Sequence, residues 1–509
     1  MTISAPNPEV VLRPEPKVLS KTASETDCKR ALLSGPYGAR KASHSNRMTI
    51  GLIGTYNLID YAKTWMDQIN EPIVSVPSKE LTEELDKRRH KLLFPDFPGC
   101  LMAFEKSFVL ETDFEQKITL SELRVLDRRN KVAYIEQLLQ IIEQKLRLIV
   151  GASERKPDVI MLLLSEEIYE ACHIVGNYHR KLKRRQEEEE SQLDLFKDFD
   201  ALQVTPRVDS DEAIYRNLRS ALKKLAMDPS YGVPIQIIRE NTLLGRETQN
   251  LATRSWNLST GLYYKAGDFP WILNSMDAKT CFLGISFYHK KSEYTDLVFS
   301  SMAHLFSNDF NSVVLRGDRV PFDEALKSPV LDKEAAKNIV RKSLGEFYSA
   351  RKRYPERLVI HKTSRYTPSE IDGFEEELSR LRIAYDLVSL TKGPIRLIRW
   401  GQYPVPRGAM YEFSEADAYL YTKGFVPDLQ TYPGSHVPSP FWVQKACGDS
   451  SMKTICDEIL MLTKLNWNTA DFCCGVPITL SFARNVGEVF KEFGETDGYE
   501  PSRFFRFYM

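Results

Sequence analysis

The stretch Cys281-Phe282-Leu283-Gly284-Ile285-Ser286-Phe287-Tyr288 decides the fold. It reads as a β-strand, and further strand candidates follow at Asp296 to Ser300 and Ser312 to Leu315. Next, the spacing predicts a helix from about Lys333 to Arg353, with Ala336, Ile339, Val340, Leu344, Phe347 and Tyr348 on one broad apolar face. Arg351, Lys352 and Arg353 put positive charge at its C-terminal end, just before Pro355. A strand from Arg357 to His361 comes immediately after. Three strands, a helix and a strand make one α/β layer.

Upstream the pattern is different. Asp158 to Leu164 is an apolar run of the kind found in buried parallel strands, and Val233 to Leu244 opens with another, Val-Pro-Ile-Gln-Ile-Ile. A helix candidate from about Ser121 to Val150 carries Leu138, Leu139, Ile142, Leu146 and Ile149 on one stripe, which reads as core. Strand alternating with helix implies a second α/β layer. Residues 26–94 read as an N-terminal segment that packs on this core through Leu58, Ile59, Ala62 and Trp65, and the turn-rich Phe94-Pro95-Asp96-Phe97-Pro98-Gly99 bounds it. Residues 1–25 read as a flexible polar tail. Lys183-Arg184-Arg185 followed by Glu187 to Glu190 marks a charged insertion at about 181–212, a solvated stretch without chemistry.

With 509 residues, the chain exceeds what one core usually supports. Lys plus Arg and Asp plus Glu both number 69, so any nucleic-acid site must be a local patch. The eight cysteines form no C-x-x-C pair, and this usage suits reduced thiols in a cytoplasmic protein. No apolar run approaches the roughly 18 to 20 residues needed to cross a bilayer.

Two motifs add a resemblance. Trp256-Asn257-Leu258-Ser259-Thr260-Gly261-Leu262-Tyr263-Tyr264-Lys265-Ala266-Gly267, with Phe269-Pro270-Trp271, resembles the helix and Lys-containing turn that join MID to PIWI in prokaryotic Argonautes. Leu462-Thr463-Lys464-Leu465-Asn466-Trp467-Asn468, then Val476-Pro477-Ile478-Thr479 and the terminal Phe504, Phe505, Phe507, Tyr508 and Met509, resembles the PIWI C-terminus. The match runs over roughly 26–509. It implies a Rossmann-like MID domain at 95–275, a ribonuclease H-like PIWI domain at 276–509 and no PAZ domain, as in a short prokaryotic Argonaute.

The resemblance also implies sites. A guide 5′-phosphate needs several cationic donors converging on one anion, and Arg219, Lys223, Gln236 and Lys265 match the family's order. Lys224, or a pairing of Tyr215 with Arg219, fits as well. The C-terminal carboxylate, supplied by Met509, would hold a Mg2+ ion against that phosphate. Two-metal cleavage needs clustered carboxylates, yet Ser286, Thr363 and Arg484 align with the family's nuclease acids. For binding a duplex, His361, Lys362, Arg365, Lys464, Asn466 and Asn468 are the candidates, with Arg396, Arg399 and Arg407 nearby in sequence; such contacts position a backbone without reading it.

The expectation is a guide-RNA-directed sensor of single-stranded DNA in prokaryotic defence against plasmids or phage. It would not be an enzyme itself. It would form a heterodimer, or a higher oligomer on activation, with an APAZ-bearing effector of TIR or sirtuin type that consumes NAD, or with a nuclease. An autonomous guided nuclease and a stand-alone binding protein are the alternatives.

Overall fold

The computed structural model describes residues 9–76, 84–172, 217–246, 249–275, 277, 279–291, 296–306, 313–323, 328–398, 400, 404–434, 437–494 and 498–509. The charged insertion expected at 181–212, and Tyr215, lie outside them. The first half contributes β1 (Val10–Leu12), β2 (Arg47–Gly54), α1 (Tyr56–Asn70), β3 (Ser107–Lys117), α2 (Lys131–Gly151), β4 (Val159–Leu164), α3 (Leu218–Met227), β5 (Ile235–Arg239) and α4 (Leu251–Lys265). The second contributes β6 (Thr280–Lys291), β7 (Asp296–Phe306), β8 (Val313–Val320), α5 (Lys333–Arg351), β9 (Arg357–Lys362), α6 (Pro368–Arg380), β10 (Ala384–Lys392), β11 (Ala409–Ser414), β12 (Asp417–Leu420), β13 (Phe441–Gly448), α7 (Met452–Leu462) and α8 (Ile478–Phe490).

A four-stranded sheet, in the order β3-β2-β4-β5, is parallel throughout. All six residues of β4, Val-Ile-Met-Leu-Leu-Leu, are buried, as expected of a strand covered on both faces. The apolar stripes of α1 (Leu58, Ile59, Ala62, Trp65, Met66, Ile69) and α2 (Leu138, Ile142, Leu146, Ile149) belong to the same core. This is a Rossmann-like layer. Its strand β2 corrects the reading of residues 26–94 as a segment merely packed on the core: Arg47–Gly54 is an interior strand, paired on both sides. No apolar run as long as that of β4 announces it, because Thr49, Gly51 and Gly54 interrupt the pattern.

The second sheet has nine strands in the order β1-β11-β12-β13-β10-β9-β6-β7-β8. β6, β7 and β8 are antiparallel neighbours, whereas β6, β9 and β10 run parallel, which is the ribonuclease H-like arrangement. α5 and α6 pack on one face, over Leu283, Ile285, Leu358 and Ile360. α8 crosses the other so closely that a Cβ at Gly284 would sit 2.1 Å from the Thr479 carbonyl oxygen, which is why glycine stands in mid-strand.

The expected tail is also corrected from Glu9 onward. Val10–Leu12 pairs with β11, Arg13 forms a bidentate ion pair with Asp457, and the Glu15 carboxylate lies between Arg407 and Lys464. Two opposite buried charges hold this strand down where composition alone suggested solvent. The two motif regions meet at the seam between the layers. Trp271 Nε1 donates to the Lys464 carbonyl, Trp467 Nε1 donates to the Trp271 carbonyl, and the Tyr264 and Trp467 rings stack at 4.7 Å. All eight cysteines are free thiols, and no described helix is long and apolar enough to cross a membrane.

Candidate nucleic-acid interface

Three cations converge beside the chain's last residues. Asn217 caps α3 by accepting from the Ser220 amide, and the helix then carries Arg219 and Lys223 on one face, four positions apart. Lys223 is buried, and its Nζ donates 2.6 Å to the Tyr508 carbonyl oxygen. Lys265 ends α4 and is 2% exposed; its Nζ donates to the main-chain oxygens of Ile235 (2.9 Å) and Met509 (3.0 Å). Among the described residues neither lysine meets a carboxylate side chain. Lys224 turns away instead, donating to the Glu492 carbonyl and lying over the Phe493 ring.

The electrostatics follow from this crowding. Burial, reinforced by the Arg219 charge, lowers Lys265 to about 7. Lys223 is pushed well below the usual lysine range by burial, then by Arg219 and Lys265. Arg219 is accessible to solvent, yet enough protein surrounds its guanidinium to lower its pKa as well, as expected on the wall of a concavity. The Gln236 amide donates to the Ile237 carbonyl, and its Oε1 is buried without a hydrogen-bond partner among the described residues. That oxygen lies 3.9 Å from where a Cβ of Gly261 would be, one helical turn before Lys265. The arrangement suits an anion bearing several oxygens.

Sequence reading named Met509 for this pocket but not the main-chain oxygen of Tyr508, which orients Lys223; a backbone acceptor carries no residue signature. Tyr169 lies within electrostatic reach of Arg219 and carries the Arg239 guanidinium over its ring at 4.1 Å. Nothing in its local pattern distinguished it.

The second candidate group is split. His361 and Lys362, expected to bind nucleic acid, are fully buried in β9. His361 Nδ1 pairs with Thr479 Oγ1 at 2.9 Å, and burial lowers the imidazole to about 3, so it stays neutral. Lys362 Nζ meets both Glu370 oxygens at 2.6 and 2.7 Å. Lys464 is 3% exposed, bound by Glu15 at 2.6 Å and by the carbonyls of Thr26 and Phe472. Asn466 is folded into its own turn, donating to Thr469 Oγ1 and accepting from the Asn468 amide. These four hold the fold. Only Arg365 and Asn468 of the group are exposed, Arg365 lying 5.1 Å over the Trp442 ring.

Ser286 lies within β6, Thr363 directly follows β9, and Arg484 lies on α8. Lys362 pairs with Ile285, so Thr363 follows the strand at the level where β6 continues with Ser286. Arg484 is on α8, the helix packed against β6. Among the described residues, no group of three or more His, Cys, Asp or Glu side chains is placed to hold a metal ion.

No protein-family model matches the chain. A protein argonaute of Aquifex aeolicus (strain VF5) is 24% identical over 256 residues, covering 49% of this chain and 32% of that protein. Among solved structures, Clostridium butyricum Argonaute bound to a guide DNA (5′ deoxycytidine) and a 19-mer target DNA matches with a TM-score of 0.62 at 13% identity, over 97% of this chain and 54% of that one. A. aeolicus Argonaute matches with a TM-score of 0.56 at 14% identity, over 96% and 54%. The chain thus spans about half the length of the solved argonautes it matches. Its fold is that of these Argonautes, and the sequence match to the A. aeolicus protein supports a place for it in the Argonaute family.

Proposed function

We propose that the protein binds the 5′-phosphate of a guide RNA in the pocket of Arg219, Lys223, Gln236 and Lys265, and uses the guide to recognise single-stranded DNA. The observation that carries this reading is the convergence of Lys223 and Lys265 on the Tyr508 and Met509 oxygens, beside Arg219, without a carboxylate side chain to neutralise them. Burying such charges is costly unless an anion joins them. A phosphate supplies that anion, and base pairing supplies the sequence specificity, as in other guided systems.

A magnesium ion fits the pocket only together with the phosphate. The Met509 oxygen and the partnerless Gln236 Oε1 suit a hard cation, while the three basic side chains repel a bare one. Those two oxygens would hold it, and when bound it would neutralise phosphate charge. In the second layer, Ser286, Thr363 and Arg484 offer hydroxyls and a cation at the positions aligned with the family's nuclease acids, where two-metal cleavage needs carboxylates. We therefore assign the protein the role of a sensor in prokaryotic defence. Its bound state is read by a separate APAZ-bearing effector, most simply an NAD-consuming TIR or sirtuin-type one.

The test is reconstitution. The chain and its co-purifying partner are assayed for NAD loss, for nonspecific DNA degradation and for cleavage of a guide–target duplex in Mg2+ or Mn2+, with guide alone and with guide plus complementary DNA. The expected result is effector activity only when guide and target are both present, with no site-specific cut. Cleavage that Ser286 or Arg484 substitutions abolish, or effector activity indifferent to target, would overturn the proposal.

A further inference from the structure

Residues 387–411 carry Lys392, Arg396, Arg399 and Arg407 and no acid, within a chain whose charges balance. Arg407 is neutralised inside the protein by Glu15. Lys392 ends β10 and Arg396 belongs to the stretch that leaves it, and this stretch is anchored at its base. Gly393 N–H donates to the Pro440 carbonyl at 2.9 Å, Leu397 N–H donates to the buried Tyr421 hydroxyl oxygen at 2.7 Å, and Leu397 packs against Val405, Ala409 and Tyr421. Beyond Leu397 the chain turns two large apolar side chains outward: Ile398 is 76% exposed and Trp400 is 91% exposed. Arg396 is exposed beside them.

β10 is parallel to β9 and β6, so this tip issues from the end of the sheet at which Thr363 follows β9 and Ser286 continues β6. An anchored base, an indole in water and a local excess of positive charge suit one kind of ligand. An aromatic ring stacks on any nucleobase, and arginine meets the phosphates alongside it. Some proteins likewise insert apolar wedges between base steps.

We propose that the exposed Ile398 and Trp400 side chains form a second nucleic-acid contact, separate from the 5′-phosphate pocket, in which Trp400 stacks on a base of the guide–target duplex as the target pairs. It rests on the guided-binding reading, and its test separates the two. Trp400 is one of six tryptophans, so its emission is isolated as the difference between wild type and Trp400→Phe. Iodide quenching of that signal is measured on the free protein, with a 5′-phosphorylated RNA guide, and with guide plus complementary single-stranded DNA.

The expected result is strong quenching in the first two states and protection in the third. In parallel, Trp400→Ala should weaken target binding by the guide-loaded protein about ten-fold, in keeping with the loss of one stacking contact, while leaving guide affinity unchanged. Far-UV circular dichroism and guide affinity verify that the variant is folded. If Trp400 remains open to iodide in the ternary complex, or if target affinity is unaltered in Trp400→Ala, the wedge is refuted. Protection that appears only on adding the partner protein refutes it too, and assigns the tip to a protein interface. Failure of the wild type to bind the guide overturns the proposed function instead.

Discussion

Four of the seven buried lysines among the described residues mark two kinds of region. In the second layer, Lys362 faces both oxygens of Glu370 and Lys464 faces Glu15. At the junction with the first layer, Lys223 and Lys265 face only main-chain oxygens and lie near each other and Arg219. Burial lowers all four ammonium groups, but a carboxylate counters it only at Lys362 and Lys464. A paired buried lysine is a finished part of the fold. Two side by side that meet no acidic side chain, one of them held by the terminal Met509 oxygen, are stabilised further by an added anion, and under the proposed function that anion is the guide phosphate.

The largest effect expected from this contrast is on ligand binding. Lys223→Ala with Lys265→Ala should weaken a 5′-phosphorylated guide by about 3 to 6 kcal/mol, taking roughly 1.5 to 3 for each charged contact. A 5′-hydroxyl guide should be far less affected. Equal losses for both guides in a filter-binding assay would reduce the pocket to a general basic surface.

Stability is the next discriminator. Lys362→Met strands the Glu370 charge in the core and should cost about 3 to 5 kcal/mol in urea unfolding. Lys265→Met removes a buried cation that meets no acidic side chain, so the empty protein should lose little or no stability in the same measurement. A large loss for Lys265→Met would show that its bonds to Ile235 and Met509 are structural after all.

Much of the architecture was legible in the sequence because it rests on local pattern. The all-apolar Val159–Leu164 run and the stripe of Lys333–Arg351 each specify an element whatever its neighbours do. The junction pocket was legible through ordered motifs, since Lys265 follows a distinctive helix. What stayed hidden depends on contacts between residues far apart in sequence. His361 and Lys362 looked like cations beyond a strand end, but β9 runs through Lys362 and buries both. Lys464 looked like a surface contact because its counter-charge, Glu15, lies in a segment whose composition suggested a tail.

A smaller effect should appear with pH. Lys265 sits at about 7, below its ordinary value of 10.5, so between those values the unfolded chain binds more protons and the empty protein gains stability as pH rises. Binding runs the other way. A bound phosphate favours the charged lysine, and guide affinity should fall about ten-fold between pH 7 and 8.5 as the empty pocket deprotonates. The phosphate has its second pKa near 6 and is already dianionic across most of that range, so the trend reports the lysine. A 5′-hydroxyl guide is the control, and identical pH profiles for the two guides would dissociate Lys265 from the phosphate.

The smallest expected effect tests the exposed side of the comparison. Arg365 lies three residues beyond Lys362 but at the surface, its guanidinium over Trp442 and in no ion pair with a carboxylate among the described residues. A solvated cation of this kind contributes little to stability, so Arg365→Ala should alter urea unfolding by less than about 1 kcal/mol. If it touches a phosphate of the duplex, its removal releases one fewer counterion, and the slope of log K against log salt for target binding should shrink by about 0.9. Lys362, enclosed with Glu370, cannot make such a contact, so Lys362→Arg, if folded, should leave that slope unaltered. Slopes that coincide for wild type and Arg365→Ala would remove Arg365 from the interface and leave Asn468, the junction pocket and Trp400 as the candidates among the described residues.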